Sequence, residues 1–412
     1  MKQVLIFIIS LSLAFISCSR DKDSDSNSDP VTDPNPATAP VETNAPNTNY
    51  RPAFAGQTRV NGVTTSARYS VNVITTALAS PWGITSLPDG RLLVTEKAGR
   101  MRIVTSAGNV SEPITGIPQV NPAGQGGLLG LCLDPNFASN RMVYWSFSEP
   151  GAGGNQTAIA KGSLAVNERT IEGATVIYRA GPAYAGNNHY GGRVIFDQMG
   201  NLLVSTGERA DPAPRQQAQS LNSGIGKIIR ITTDGQPTPA NPFIGQPDAR
   251  PELYSIGHRN PQGLAIHPVT GNLWQSEHGP RGGDELNRVQ AGLNYGWPII
   301  TYGIDYNGQQ MGNGIQQREG MEQPVYYWDP VVSPSGMTFY NSNRIPEWQN
   351  NLFIGCLSGM HIVRLVIENN RVTGEERLLV NEQQRFRDIT QGTDGSLYAI
   401  TDAGRLYRID RE

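Results

Sequence analysis

One pattern recurs along this chain and constrains its fold more than any other feature. A short apolar run leads into a turn rich in Pro, Asp, Asn and Gly, and a second apolar run follows. It reads WGITSLPDGRLLVTE from Trp82, LLGLCLDPNFASNRMVYWSF from Leu128 and GRVIFDQMGNLLVSTGE from Gly192. It returns as QGLAIHPVTGNLWQSE from Gln262, SGMTFYNSNRIPEWQNNLFIGCL from Ser335 and FRDITQGTDGSLYAITD from Phe386. Apolar and β-branched residues on both sides of turn formers specify a β-hairpin. Six hairpins at intervals of roughly 45 to 75 residues are the signature of a repeat architecture.

Helical periodicity is sustained nowhere; the one exception is a short possible turn over residues 284–290. The 46 glycines and 29 prolines favour many turns and an all-β chain. The fold class expected is therefore a six-bladed β-propeller spanning residues 51–412, a radial array of antiparallel sheets. Further strands come from residues 101–104, 227–232 and 361–368. Residues 69–78 alternate as a strand should, and could pair near residues 406–410 to close the ring. A β-sandwich or a two-domain arrangement does not predict six similar hairpins.

The first residues stand outside this pattern. Lys2 precedes an apolar run over residues 4–15, too short to span a bilayer, so residues 1–18 read as a signal peptide. Its end, Phe15-Ile16-Ser17-Cys18, resembles a bacterial lipoprotein cleavage box with Cys18 as the lipidated residue; ordinary cleavage nearby is the alternative. Residues 19–50, rich in Asp, Ser, Asn, Pro and Thr, are expected to form a disordered tether. The protein is thus expected to be exported, periplasmic or at the cell surface, touching a membrane only through a lipid anchor. A net charge of −3 argues against a nucleic-acid partner. The two remaining cysteines, Cys132 and Cys356, sit in apolar runs and are expected as buried free thiols rather than a disulfide.

Polar residues concentrate in residues 257–298 and in short clusters elsewhere. They are Gly124-Gln125-Gly126-Gly127, Asn187-Asn188-His189-Tyr190, Arg259-Asn260, Gly279-Pro280 and Arg385-Phe386-Arg387, each beside one of the hairpins. In a propeller such loops meet at one end of the central channel. His189, in a glycine-flanked loop, is the candidate proton acceptor. His258, beside Arg259, is expected to be a supporting residue and His267 to be structural; His278 is ambiguous, and His361 is expected to play no part. Arg259, Arg385 and Arg387 bring three guanidinium groups to one channel mouth, which calls for an anion such as a carboxylate. Gly279-Pro280 followed by Asp284-Glu285 suits an oxygen-ligand site for Ca²⁺. Zinc-ligand spacing, a G-x-S-x-G elbow, a Walker loop and a G-x-G-x-x-G after a strand are all missing.

Taken together and in order, GQGGLLGL, NNHYGGR, GHRNPQGLA, QSEHGPRGGDELN, NYGWP and RFRD resemble the soluble pyrroloquinoline quinone (PQQ)-dependent glucose and aldose sugar dehydrogenases over residues 69–410. The shorter loops place the chain nearer the aldose sugar branch. The resemblance implies oxidation of the C1 hydroxyl of an aldose to a lactone, with PQQ and Ca²⁺ as cofactors and an external electron acceptor. By position, His189 matches the general base, with hydride passing to C5 of PQQ. Gln125 matches a sugar and quinone contact, and Arg259 with Asn260 matches the pair that binds PQQ and steadies its developing charge. Arg385, Arg387 and Thr301 match further PQQ contacts. Gly279 and Pro280 match carbonyl ligands of the Ca²⁺ beside PQQ, and Glu285 and Tyr295 a second, structural Ca²⁺ site. Two positions depart from the pattern. Asn188 stands where glucose dehydrogenases carry an aspartate, which should hold the imidazole less firmly, and Ser358 stands where a PQQ-contacting lysine is usual. Two other readings remain at this stage: a calcium-dependent lactonase or other hydrolase on a propeller, and a non-catalytic surface propeller that binds sugar or protein. Either a monomer or a homodimer is compatible with the sequence.

Overall fold

The computed structural model describes residues 39–412. The signal peptide, Cys18 and the first part of the tether lie outside the described residues. Six antiparallel sheets are arranged as the blades of a propeller. Blade 1 holds the strands Pro81–Ser86, Leu92–Glu96 and Arg100–Val104; the other five blades have four strands each. The innermost strands of blades 2 to 6 are Leu128–Leu133, Gly191–Phe196, Pro261–Ile266, Pro334–Phe339 and Phe386–Gln391. Every predicted hairpin forms the first two strands of one blade. Ring closure is as expected: Tyr69–Thr75 pairs antiparallel with Leu406–Arg411, Tyr69 opposite Arg411, so blade 6 takes its outermost strand from the start of the propeller.

The turns follow from local chemistry. In the Asp197–Gly200 turn, Asp197 Oδ1 accepts from the backbone of Met199 and Asn201, so the side chain sets the reversal. The continuous apolar runs are explained by burial on both faces. In the strand Leu92–Glu96 every residue is buried: Leu93 faces the cluster shared with blade 2, and Leu92 and Val94 face the cluster shared with blade 6. Each of the six blade-to-blade joints has its own apolar cluster.

The channel centre is polar. Arg193, 5% exposed, pairs with the equally buried Asp388 at 2.6 Å, while its Nε donates to Gln262 O and its guanidinium lies 4.5 Å from the Trp82 ring. The same Asp388 oxygen accepts the Ile84 amide. This pair links the inner strands of blades 1, 3, 4 and 6. Blade 5 closes over it at Gly336, where a Cβ would stand 1.8 Å from Asp388 Oδ1 and 2.7 Å from Arg193 Nη2.

Two expectations are corrected. Residues 284–290 are not a helical turn: Asp284–Val289 is a strand whose side chains are mostly buried between two neighbours. The part of the predicted tether from 39 to 50 lies against the propeller. Glu42 pairs with Arg377 at 2.8 Å, and Asn47 and Thr48 donate to Asp329. Composition underestimated these residues because a few hydrogen bonds to buried charges order a segment that has few large apolar residues to bury. Cys132 and Cys356 are both free, the first half-buried and the second buried.

Asp388→Asn leaves Arg193 as a buried, uncompensated cation and should lower unfolding stability by about 3–5 kcal/mol. Denaturant titration of the purified protein checks this.

Candidate active site

The end of the channel above the Arg193–Asp388 pair opens into a cavity of about 440 Å³. Gln125, His189, Arg259, Gly279, Pro280, Arg385 and Arg387 all line it, although they span residues 125–387 of the chain. They come from loops that enter blades 2, 3 and 4, from the turn inside blade 4 and from the first strand of blade 6.

His189 is buried and has a left-handed backbone (φ 47°), a conformation that costs energy in a non-glycine residue and needs support. That support is visible. The His189 amide donates to Gln125 Oε1 at 2.9 Å, and Arg209 spans the loop with hydrogen bonds to the carbonyls of Gly186 and Asn188. The Arg209 guanidinium also lies over the Tyr190 ring at 4.0 Å. The imidazole Nδ1 stands 2.7 Å from Oε1 of Glu208, a fully buried carboxyl group. Burial, followed by the charges of Arg259, Arg209 and Arg215, holds the His189 pKa well below its ordinary value, so the ring is neutral near pH 7. Burial raises the Glu208 carboxyl to about 7, against the opposing charges of Arg259 and Arg215. When Glu208 is ionised it accepts the Nδ1 proton, and the Nε2 lone pair is then free to take another.

Sequence reading missed Glu208. The signal was there: Glu96, Glu208 and Glu277 stand in or just beyond the second strands of blades 1, 3 and 4, where the carboxylate meets the loop that leads into the same blade. The concern over Asn188 is also corrected, because Nδ1 is held by Glu208; Asn188 contributes its carbonyl, which accepts from Arg209.

The cavity wall is strongly cationic. Lys97, Arg259, Arg385 and Arg387 line it, with Asp284 as the one carboxylate among the lining residues. Arg385 and Arg387 are not uncompensated, as expected from sequence: both bond to Asp402, at 2.9 and 2.8 Å, so their side chains do share one face of the strand. Arg259 Nε, Asn260 Nδ2 and His278 Nε2 are buried and have no partner, as atoms that await a ligand would be. His278 lines the cavity beside Arg259, whose Nη1 bonds to the His278 carbonyl.

Other predicted residues stand elsewhere. Asn260 is tucked behind the wall, where its Oδ1 accepts from the Gly191 amide and Gln262 Nε2. Ser358 is exposed and pairs with Ser333, the residue that lines the cavity. The wall's one ammonium is Lys97, whose Nζ donates to Gly124 O at 2.7 Å. Thr301, Glu285 and Tyr295 belong to a second, much smaller void that shares Arg259, His278 and Gly279 with the first. There Glu277 and Glu285 face one another across adjacent strands, bridged by Asn287 Nδ2. Burial and then the Glu277 charge push the Glu285 pKa well up. Two buried carboxylates in mutual repulsion have the donor chemistry of a cation site. The Tyr295 hydroxyl is already committed, to Arg288 O and the Gln290 amide. His258 stacks on Tyr295 at 4.8 Å and bonds to Glu277, a supporting role as expected. His267 caps the Val269 and Thr270 amides and is structural.

A model of the glucose/sorbosone dehydrogenase family matches residues 78–408. The chain belongs to that family. Its glucose/sorbosone dehydrogenase region is 40% identical over 348 residues to aldose sugar dehydrogenase YliI of Escherichia coli (strain K12), covering 83% of this chain and 93% of the relative. The apo-form crystal structure of the soluble aldose sugar dehydrogenase from Escherichia coli superimposes with a TM-score of 0.80 at 39% identity, over 84% of this chain and 100% of that one. The PQQ-bound form of an aldose sugar dehydrogenase from Streptomyces coelicolor does so with a TM-score of 0.69 at 30% identity, over 85% and 100%. Membership of the glucose/sorbosone dehydrogenase family makes an oxidoreductase the activity to which the site geometry must answer.

Nitrogen NMR of labelled histidine in the apo-protein should show His189 neutral and protonated on Nδ1 above about pH 7. As pH falls through that value and Glu208 takes up a proton, the ring proton should move to Nε2. Glu208→Gln should abolish this step.

Proposed function

We propose that this protein oxidises the C1 hydroxyl of aldose sugars to the lactone, using PQQ and Ca²⁺, with His189 as the general base. The observation that carries the reading is the His189–Glu208 pair facing a cavity walled by Lys97, Arg259, Arg385 and Arg387. A polycarboxylate cofactor fits this wall: it would neutralise the cations and satisfy the orphaned Arg259 Nε. Gly279 and Pro280 present a tight turn to the cavity, and no hydrogen bond is made to either carbonyl among the described residues, which suits a hard cation. When bound, PQQ supplies the two-electron acceptor and Ca²⁺ the Lewis acid.

The protein's own contribution is to position and to move one proton. Arg385 and Arg387, fixed from behind by Asp402, clamp carboxylates. Arg259 reaches the same space and stabilises negative charge as it develops. His189 Nε2 takes the C1 hydroxyl proton, and Glu208 steadies the imidazolium that results. Gln125 fixes the histidine backbone through Oε1, and its Nε2, without a partner among the described residues, is available to a sugar hydroxyl. Thr301 is assigned a cofactor contact through the wall it shares with Arg259. Lys97 supplies the ammonium that position 358 lacks. Glu285, with Glu277 opposite and the Tyr295 carbonyl, is the place for a structural Ca²⁺. The N-terminal reading completes the proposal: export and lipid attachment at Cys18 would bring the enzyme to sugars and to an electron acceptor outside the cytoplasm. A hydrolase would need several acidic side chains around a channel metal, and Asp284 is the one acid that lines this cavity.

Purified protein reconstituted with PQQ and Ca²⁺ should reduce an artificial electron acceptor with aldoses as substrate; no turnover with any aldose while PQQ is bound would refute the proposal. His189→Ala should abolish turnover and leave PQQ binding intact, and Glu208→Gln should lower kcat by about 10²-fold. Arg387→Leu should weaken PQQ binding about 10-fold or more, read by absorbance titration, because it removes a charge-assisted contact.

A further inference from the structure

We propose that residues 42–48, which composition assigns to a disordered tether, are a strap that positions the 279–283 turn of the cavity wall. Asn47 and Thr48 are its positioning residues, and they act through Asp329. The Asp329 side chain is 4% exposed and makes no ion pair among the described residues. Its charge is met by the strap. Oδ1 accepts from the Asn47 amide at 2.8 Å and Asn47 Nδ2 at 2.9 Å, and Oδ2 accepts from the Thr48 amide and Thr48 Oγ1, both at 3.0 Å. Hydrogen bonds to a buried ionised group are the strong kind, and losing them leaves the charge unsatisfied.

The strap is itself anchored at its far end. Glu42 pairs with Arg377 at 2.8 Å. Arg59 holds the carbonyls of Glu42 and Asn44 and also that of Asp329, at 2.9, 2.7 and 2.7 Å. From Asp329 the connection runs directly into the wall. Gly282 has a left-handed backbone (φ +83°) and lies so close that a Cβ there would stand 2.7 Å from Asp329 Oδ1. Arg281 Nε donates to Asn47 Oδ1 at 3.2 Å, and the Gly283 amide donates to Trp328 O at 2.9 Å. Gly279 and Pro280, at the front of this turn, face the cavity. The strap therefore braces the back of the turn whose front bears the carbonyls assigned above to Ca²⁺, and in that respect the inference rests on the proposed function. The family match begins at residue 78, so residues 42–48 lie outside the matched region.

The test uses the full chain carrying Asn47→Ala with Thr48→Ala. In the apo-protein, hydrogen exchange of the 281–284 amides should accelerate about 10-fold or more as the local opening free energy falls, while the His189 loop is unchanged. Ca²⁺ affinity, read by calorimetry in the presence of PQQ, should weaken several-fold, and Thr48→Ser should retain the wild-type values. If the double variant does not fold, Thr48→Ala alone removes one donor of the four and should show the same change to a smaller degree. Unchanged exchange at 281–284 in a folded variant overturns the strap. If exchange accelerates as expected but the wild-type protein binds neither PQQ nor Ca²⁺, the strap stands and the proposed dehydrogenase function falls. If the wild type binds both and turns over but the variant matches it in exchange, the reverse holds.

Discussion

The buried ion pair between Arg193 and Asp388 is the point on which this molecule converges. A six-bladed ring brings six inner strands around one axis, and whatever fills that axis must satisfy all of them at once. Here one guanidinium reaches the Gln262 carbonyl and the Trp82 ring, and its partner carboxylate holds the Ile84 amide. Burial pushes the Asp388 pKa up, and the Arg193 charge opposes that shift. A pair of this kind adds little to net stability, because the desolvation of both charges offsets their attraction, but it strongly penalises any arrangement that separates them. It thereby fixes blades 1, 3, 4 and 6 relative to one another, and Trp82 and Gln262, which touch it, also line the cavity.

Above that pair the site depends on an imbalance of charge. Lys97, Arg259, Arg385 and Arg387 share one small cavity, and Asp402 stands behind the last two. Burial keeps the His189 ring neutral, helped by the charges of Arg259, Arg209 and Arg215, because a protonated imidazole would be one more positive charge in a buried place. Glu208 then decides which nitrogen carries the single ring proton. Arg259 thus acts on both sides of the site: it is one of the wall cations, and it helps keep the base unprotonated. His189 holds a left-handed backbone to stand in this field, and the Gln125 and Arg209 hydrogen bonds offset the strain.

Much of this was legible in the residues. Short apolar runs separated by turn formers encode strands and hairpins locally, so the six inner pairs, the closing strand and the all-β class follow from short-range chemistry alone. His189, Arg259, Gly279, Pro280, Arg385 and Arg387 were legible as site candidates because polar groups in loops beside buried strands have few structural uses. The strand at Asp284–Val289 was not legible, because its charged and polar residues are buried by neighbours that lie elsewhere in the chain. Residues 42–48 were misread for the same reason: their partners, Asp329 and Arg377, are about 280 to 335 positions away.

Sequence by itself determined the units, the turns, the order of the blades and the chemical types gathered in each loop, since these depend on contacts between near neighbours. Tertiary structure alone decided which groups meet. It put Glu208 on Nδ1 of His189, Asp402 behind two arginines, Lys97 on a wall where Ser358 brings no charge, and Asn260, Thr301 and Glu285 outside the main cavity. Those pairings are set by ring closure and by the need to satisfy every buried charge, and neither constraint can be evaluated on a segment before the other blades are in place.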